Sequence, residues 1–250
     1  MSAEIVPINV RQAGVRRRVA ATPPPEALSH NLNGQRLGRK GRDTRDRIIA
    51  AAQEILSEPG GSSLITLSEV ARRASLRIGT LYLYFADLTE LVLAVLEPVM
   101  ATAEAEYVHL VREHWPDNAL DKRALAFVRA YHGFWLKHSS LLHLRNTLAD
   151  AGDERMMQHR VRSAIPVMRL IASQMGSQPT QQRNLVTSTS TALMTGLERV
   201  ATVMTDSKIP YVVQEPVNPL ALLLQAQARL FALAIKDQRD QLRLSQGAAE

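Results

Sequence analysis

The chain contains no cysteine, which excludes disulfides, thiolate metal sites and cysteine nucleophiles and fits a reducing cytoplasm. Glycine and proline number only 12 each in 250 residues, a frequency that suits a helical protein. Strand-like alternation is confined to Tyr211-Val212-Val213, read as a loop between prolines. No apolar stretch approaches the roughly 18 residues that a membrane span requires, and no signal-peptide core is present. Enzyme signatures are missing too: there is no phosphate-cradling glycine loop, no GxSxG elbow and no paired catalytic constellation. His132 and His143 lie too far apart along one straight helix to share an ion, about 16 Å. Only a break near Ser139-Ser140 would bring them together. No HxxxH or HExxH spacing occurs, so neither a metal site nor a cofactor is expected.

What the chain does have is a pair of short helical patterns joined by a tight turn. Thr66, with Glu69 three residues on, has the form of a capping box, in which the threonine oxygen accepts from the Glu69 N–H and the Glu69 carboxylate reaches back to the Thr66 N–H. Leu67, Val70, Ala71 and Ala74 then recur at helical spacing. A break is predicted near Ser75, because Leu76, Ile78, Leu81 and Phe85 continue the apolar pattern in a new phase. Gly79, early in the second helix, is about 1 kcal/mol less favourable there than alanine and points to a close backbone approach. A helix from about Ile78 to Phe85 is too short to stand alone. Packing from behind comes from Asp43 to Leu56, where Ile48, Ala52, Ile55 and Leu56 share one helix face before Pro59-Gly60-Gly61 stops it. Three helices thus enclose Ile48, Ile55, Leu67, Val70, Leu76, Leu81 and Phe85. An ordinary three-helix corner without a ligand is the plain alternative to a helix-turn-helix.

Arg45-x-x-Ile48, Ala51-Ala52, Thr66-x-x-x-Val70-Ala71-x-x-Ala74 and above all Gly79-Thr80-Leu81-Tyr82-x-Tyr84-Phe85-x-x-x-x-x-Leu91 resemble the N-terminal domain of TetR-family transcriptional regulators. The resemblance covers residues 45–96. Three positions depart from the family pattern: Ser75 stands where glycine is usual, Arg77 replaces the usual serine cap, and Leu88 takes the place of a common phosphate-binding lysine. The resemblance implies an all-α fold with a helix-turn-helix domain at 43–91 and a larger helical effector-binding and dimerisation domain at 92–250. It also implies a homodimer on a pseudo-palindromic double-stranded DNA operator, released by a small-molecule effector, acting as a repressor in a prokaryotic cytoplasm.

The DNA-reading residues follow from the geometry of such a module. The start of a recognition helix points at base edges, so Arg77, Ile78, Gly79 and Thr80 are the specificity candidates. Arg77 suits guanine O6 and N7, and Ile78 or the Thr80 methyl suits a thymine methyl. Tyr82 and Tyr84 resemble the family's groove and phosphate contacts, Thr66 at its helix N-terminus suits both a cap and a phosphate hydrogen bond, and Arg42 and Arg45 add positive charge beside them. Packing against the first helix is the other reading of Tyr82. Residues 1–47 hold ten basic and four acidic residues, which accounts for the whole net charge of +6. The segment 1–42 therefore reads as a basic arm able to track phosphates or enter a minor groove. A plain disordered tail and an organelle transit peptide are its other readings, the latter disfavoured by a prokaryotic type of module.

Farther along, the pattern predicts helices at Leu88–Glu113, Leu120–Lys137, Ser139–Ala149, Asp153–Met175, Gln181–Thr205 and Pro219–Leu244, with Pro98 and Pro166 as kinks. His132, Trp135, His143, Arg145 and Asn146 concentrate aromatic and polar groups, and Met168 and Met194 add adaptable apolar surface. By resemblance these line the effector pocket, although such residues at helical spacing are also ordinary core. Leu193, Gly196, Leu197 and Val200 form one close-approach face and Leu223, Leu224, Ala228 and Phe231 another, both candidates for a dimer interface. Packing within one subunit is the alternative. A competing class is a DNA-architectural or partner-binding protein with the same module and no small-molecule effector.

Overall fold

The computed structural model describes residues 36–58, 60–176, 180–206 and 220–247. Ten α-helices run through them: α1 (Arg39–Ser57), α2 (Gly61–Leu64), α3 (Leu67–Arg73), α4 (Ile78–Leu81), α5 (Leu88–Glu106), α6 (Leu120–Lys137), α7 (Ser139–Asp150), α8 (Glu154–Gln174), α9 (Thr180–Thr205) and α10 (Leu220–Gly247). Tyr211-Val212-Val213, Pro59 and residues 1–35 of the basic arm lie outside the described residues.

In α1 the buried residues are Ile48, Ala51, Ala52, Ile55 and Leu56, the face expected from the spacing. The helix starts at Arg39, earlier than the expected Asp43, so Lys40 and Arg42 are helical. Its end is set by Gly60, whose φ of 74° is left-handed, and by Gly61, where a Cβ would collide with the Ile55 carbonyl. The single turn of α2 that follows was not anticipated. Ile48, Ile55, Val70, Leu81 and Phe85 are buried, while Leu67 and Leu76 pack against them from the edge.

The helix predicted for Leu88–Glu113 is shorter than expected. It runs unbroken past Pro98, whose ring faces outward, and ends at Glu106. Tyr107 leaves helical geometry (φ −147°, ψ −26°) and turns its ring inward, 5.2 Å from the centroids of both Tyr131 and Phe134. A tight turn over Val108–Val111 follows. Burial of an aromatic ring outweighs one more turn of helix, because such a ring removes 150–250 Å² of surface, or roughly 2–3 kcal/mol at full burial. The helix α8 is likewise continuous through Pro166.

The body is a stack in which α10 lies along α6, while α8 lies between α7 and α9. Buried apolar residues form one cluster from Ile48 in α1 to Ile235 in α10. The expected division at residues 91 and 92 therefore falls inside α5, whose Leu91, Val92, Val95 and Leu96 belong to that shared core.

A buried polar staple fixes α10. Gln174 accepts from the Trp115 N–H (2.9 Å) and donates to the carbonyls of Val111 (2.9 Å) and Glu113 (2.8 Å). Arg239 donates to the carbonyls of Gln174 (2.7 Å) and Trp115 (2.8 Å) and to Asp117 (2.6 Å). Every strong donor and acceptor in this knot is satisfied within the chain, as burial requires.

Candidate nucleic-acid interface

The turn between α3 and α4 sets the aim of the second helix. The Ser75 N–H donates to the Arg72 carbonyl (3.1 Å) and the Leu76 N–H to the Ala71 carbonyl (2.9 Å). This pair of bonds defines a Schellman turn, whose pivotal residue sits in the left-handed region. Ser75 occupies it with φ 55°. The turn thus keeps the backbone geometry that suits glycine, with serine in its place.

At the front of α3, Thr66 Oγ1 accepts from the Glu69 N–H (3.1 Å), the expected half of the capping box. The reciprocal half is not formed, because Glu69 pairs with Arg72 (2.8 Å) and Arg73 (3.6 Å) instead. A more complete box closes the next helix. There the Glu90 N–H donates to Asp87 Oδ1 (2.9 Å), and Glu90 Oε2 accepts from the Ala86 N–H (2.7 Å).

From Arg77 onward one face turns outward. Arg77 and Gly79 are exposed and Thr80 is half-buried, while Ile78, Tyr82 and Leu83 remain 40%, 49% and 41% exposed. Leu81 and Phe85 anchor the same element in the core. The helix is regular only through Leu81, and bonds from Tyr84 and Phe85 to the Leu81 carbonyl (2.9 and 3.1 Å) tighten the rest into turns. Tyr84 is half-buried and packs against the core, whereas Tyr82 stands out from it. A Cβ placed on Gly79 would meet nothing within 4 Å, so no contact among the described residues calls for glycine there. Leu83 joins this outward face without having been singled out in the sequence. Its only signal was its place between two tyrosines.

The flanking basic groups divide by task. Arg42 donates to the Leu37 carbonyl (2.9 Å), and Arg45 lies over the Phe85 ring, 5.3 Å from its centroid. Arg47, not anticipated, donates to the Ala74 carbonyl (3.1 Å) and ties α1 to the end of α3. Two carboxylates nearby are engaged internally: Arg73 holds Glu58 (2.7 Å) and Arg155 holds Asp87 (2.8 Å). Burial opposes ionisation of Asp87, but the Arg155 hydrogen bond and the Glu90 N–H outweigh it and hold the carboxyl below its usual pKa. Thr66 Oγ1 is exposed, and its own hydrogen remains available for an outside acceptor.

Of the predicted effector residues, Trp135, Arg145, Met168 and Met194 line one interior cavity together with Tyr107 and Glu198. Arg145 is buried beside Glu198 (3.1 Å), over the Trp135 ring (5.6 Å) and against Asn146 (3.1 Å). Asn146 braces this pair from behind the lining, donating to Glu198 at 3.4 Å. His132 and His143 do not line the cavity. His143 contacts Thr205 (3.1 Å) and stands edge-on to Trp135, and His132 is buried elsewhere on α6 with Nε2 unpartnered. Burial pushes the Tyr107 hydroxyl up to about 12 and Tyr131 higher still. The enclosed space is about 30 Å³, room for one or two waters against the roughly 300–1,000 Å³ of a drug-sized ligand pocket.

The expected interface stripes are largely taken up inside the subunit. Leu197, Leu224, Ala228 and Phe231 are buried, with Phe231 5.7 Å from Phe127 of α6. Leu193, Gly196, Val200 and Leu223 are half-buried. The outward leucines of α10 are instead Leu222, Leu230, Leu233 and Leu244, which fall on one helix stripe with Ala226.

No protein-family model matches the chain, and no curated protein matches it. Among the described residues no helix is long and apolar enough to cross a membrane, and no group of His, Asp and Glu is placed to hold a metal ion.

Proposed function

We propose that this chain is a homodimeric, sequence-specific regulator of transcription that binds double-stranded DNA, rather than an enzyme, in the cytoplasm of a prokaryote. The observation that carries the reading is the outward face of Arg77–Tyr82, held by a buried anchor and containing a glycine that nothing among the described residues requires. A helix N-terminus that offers a guanidinium, a methyl-bearing side chain and a bare backbone matches the chemistry of base edges in a major groove. The resemblance of the same residues to the TetR-family module supports it. In this reading Arg77, Ile78 and Thr80 read bases, and Thr66, Tyr82, Tyr84, Arg42 and Arg45 serve phosphates. The exposed leucines of α10 face a second copy, so that two modules meet two half-sites of a pseudo-palindrome. A small-molecule effector bound in the body releases the operator, and the protein acts as a repressor.

The small size of the interior cavity favours a second reading, in which the same module acts architecturally or through a protein partner without a small-molecule effector. Selection of bound duplexes from a random pool at two salt concentrations separates the two. A pseudo-palindrome that survives the higher salt supports the sequence-specific dimer. Sequence-blind binding that collapses with salt overturns it in favour of backbone electrostatics.

A further inference from the structure

The DNA module and the body are separated along one side by a cleft of about 450 Å³. This volume lies within the range of roughly 300–1,000 Å³ typical of small-molecule sites. Its walls come from both parts of the molecule: Gln53, Leu56 and Ser57 from the last turns of α1, Val95 and Val99 from α5, and the corner between α6 and α7 opposite. The floor is apolar, with Leu56, Val95 and Leu141 buried and Val99 half-buried.

The rim is polar and, among the described residues, carries one cation. Lys137 is 59% exposed and reaches Glu106 at 2.8 Å, which engages one of the three hydrogens on its ammonium group. The Ser139 and Ser140 hydroxyls have no hydrogen-bond partner among the described residues. Across from them Ser57 donates to the Gln53 carbonyl (2.8 Å) and keeps its lone pairs free. His138 adds a buried Nε2 with no hydrogen-bond partner among the described residues, 3.9 Å from the Glu106 carboxylate.

We propose that this cleft binds a small organic anion, an apolar body carrying a single carboxylate. The body lies on Leu56, Val95, Val99 and Leu141, and the carboxylate takes hydrogens from Lys137 and the Ser139 and Ser140 hydroxyls. A single negative charge is the most that one ammonium, already shared with Glu106, can hold. A phosphate monoester, with nearly two charges at neutral pH, would call for a cluster of cations or an Arg fork. Because the walls belong to α1 on one side and to the α6–α7 corner on the other, an occupant bridges the DNA module and the body and fixes their separation.

The test uses the full chain without DNA, so its outcome is independent of the DNA-binding reading. 1-Naphthoate is titrated calorimetrically, with 1-naphthalenemethanol as its uncharged counterpart. Saturable binding of one naphthoate per subunit is expected. The alcohol, and naphthoate on Lys137→Gln, should each bind about tenfold more weakly, the effect of one lost charged hydrogen bond. Ser140→Trp, which fills the cleft from its rim, should abolish binding. Absence of saturable binding, or binding that neither substitution alters, overturns the proposal. So does binding that survives Ser140→Trp but is lost on Met194→Trp, which would assign the probe to the interior cavity.

Discussion

Arg145 on α7 and Glu198 on α9 are 53 positions apart in the chain and 3.1 Å apart in space. The pair is lopsided: the Arg145 side chain is 6% exposed and the Glu198 side chain 24%. Removing one partner of a buried pair leaves the other charge without compensation, at a loss of about 3–5 kcal/mol. Glu198 can turn toward water and Arg145 cannot. Glu198→Leu should therefore destabilise by about 3 kcal/mol and Arg145→Met by roughly half of that, with the double variant recovering most of the loss. Urea unfolding of the three variants checks the order. Equal losses in the two single variants would contradict the asymmetry.

Gly79→Ala should move two properties in opposite directions. Its methyl group meets nothing within 4 Å, so the free protein should gain about 0.5–1 kcal/mol from helix propensity and a less mobile unfolded chain. In the proposed complex, binding to a selected operator should weaken, because the added methyl would stand between the backbone and the bases. Arg77→Ala should shift the preferred sequence, whereas Tyr84→Phe should weaken binding to all sequences. Gly79→Ala that left operator affinity intact would remove the reason offered for the glycine.

Ser75→Gly should stabilise the module. A side chain in the left-handed region is disfavoured by about 1–2 kcal/mol, and the extra freedom of glycine when unfolded offsets about half of that. A rise of a few degrees in Tm is expected, while Ser75→Val should lower it. The two measurements together isolate the backbone term from any loss of the hydroxyl.

Acidification should destabilise the protein through buried imidazoles. Burial, helped by the Arg145 charge, pushes the His159 pKa down to about 4 from its ordinary 6.5, and burial lowers that of His132. Between pH 6.5 and 4 the unfolded chain takes up a proton on His159 that the folded chain refuses. Stability is therefore fully present above the ordinary value and falls as the pH drops through that window. Unfolding midpoints at neutral, mildly acidic and more acidic pH should decline steadily. His159→Gln should flatten the decline, and a slope unchanged by that substitution would show that His159 titrates normally.

Local features of the chain were readable in advance where a single helix face or a single cap decided them. The stripe of α1, the Thr66 cap and the break at Ser75 all lie within one or two turns of the residues that cause them. Competition was harder to read. Glu69 had two claimants, the Thr66 N–H and the arginines three and four positions on, and the charges won. Pro98 suggested a kink in α5, yet the helix ends where Tyr107 finds an aromatic pocket made by α6. An apolar stripe shows that a face is covered but not by what, so Leu197 and Phe231 looked like interface and proved to be core. The cleft beside α1 belongs to the same class, since Gln53, Lys137 and Ser140 share no spacing. Nor does any pattern connect Gln174, Arg239 and Trp115, whose link exists only after the fold has closed.

That link also bears on how the protein is made. Trp115 and the Arg239 that holds it are separated by 124 residues. At about 5–20 residues per second of translation, a nascent chain waits roughly 6–25 seconds between the two. Through that interval the rings of Trp115 and Phe127 have been synthesised, but α10, which carries Phe231 onto Phe127, has not. Until it emerges, the ribosome holds a chain with an open aromatic seam, a target for chaperones and a starting point for aggregation if they are scarce.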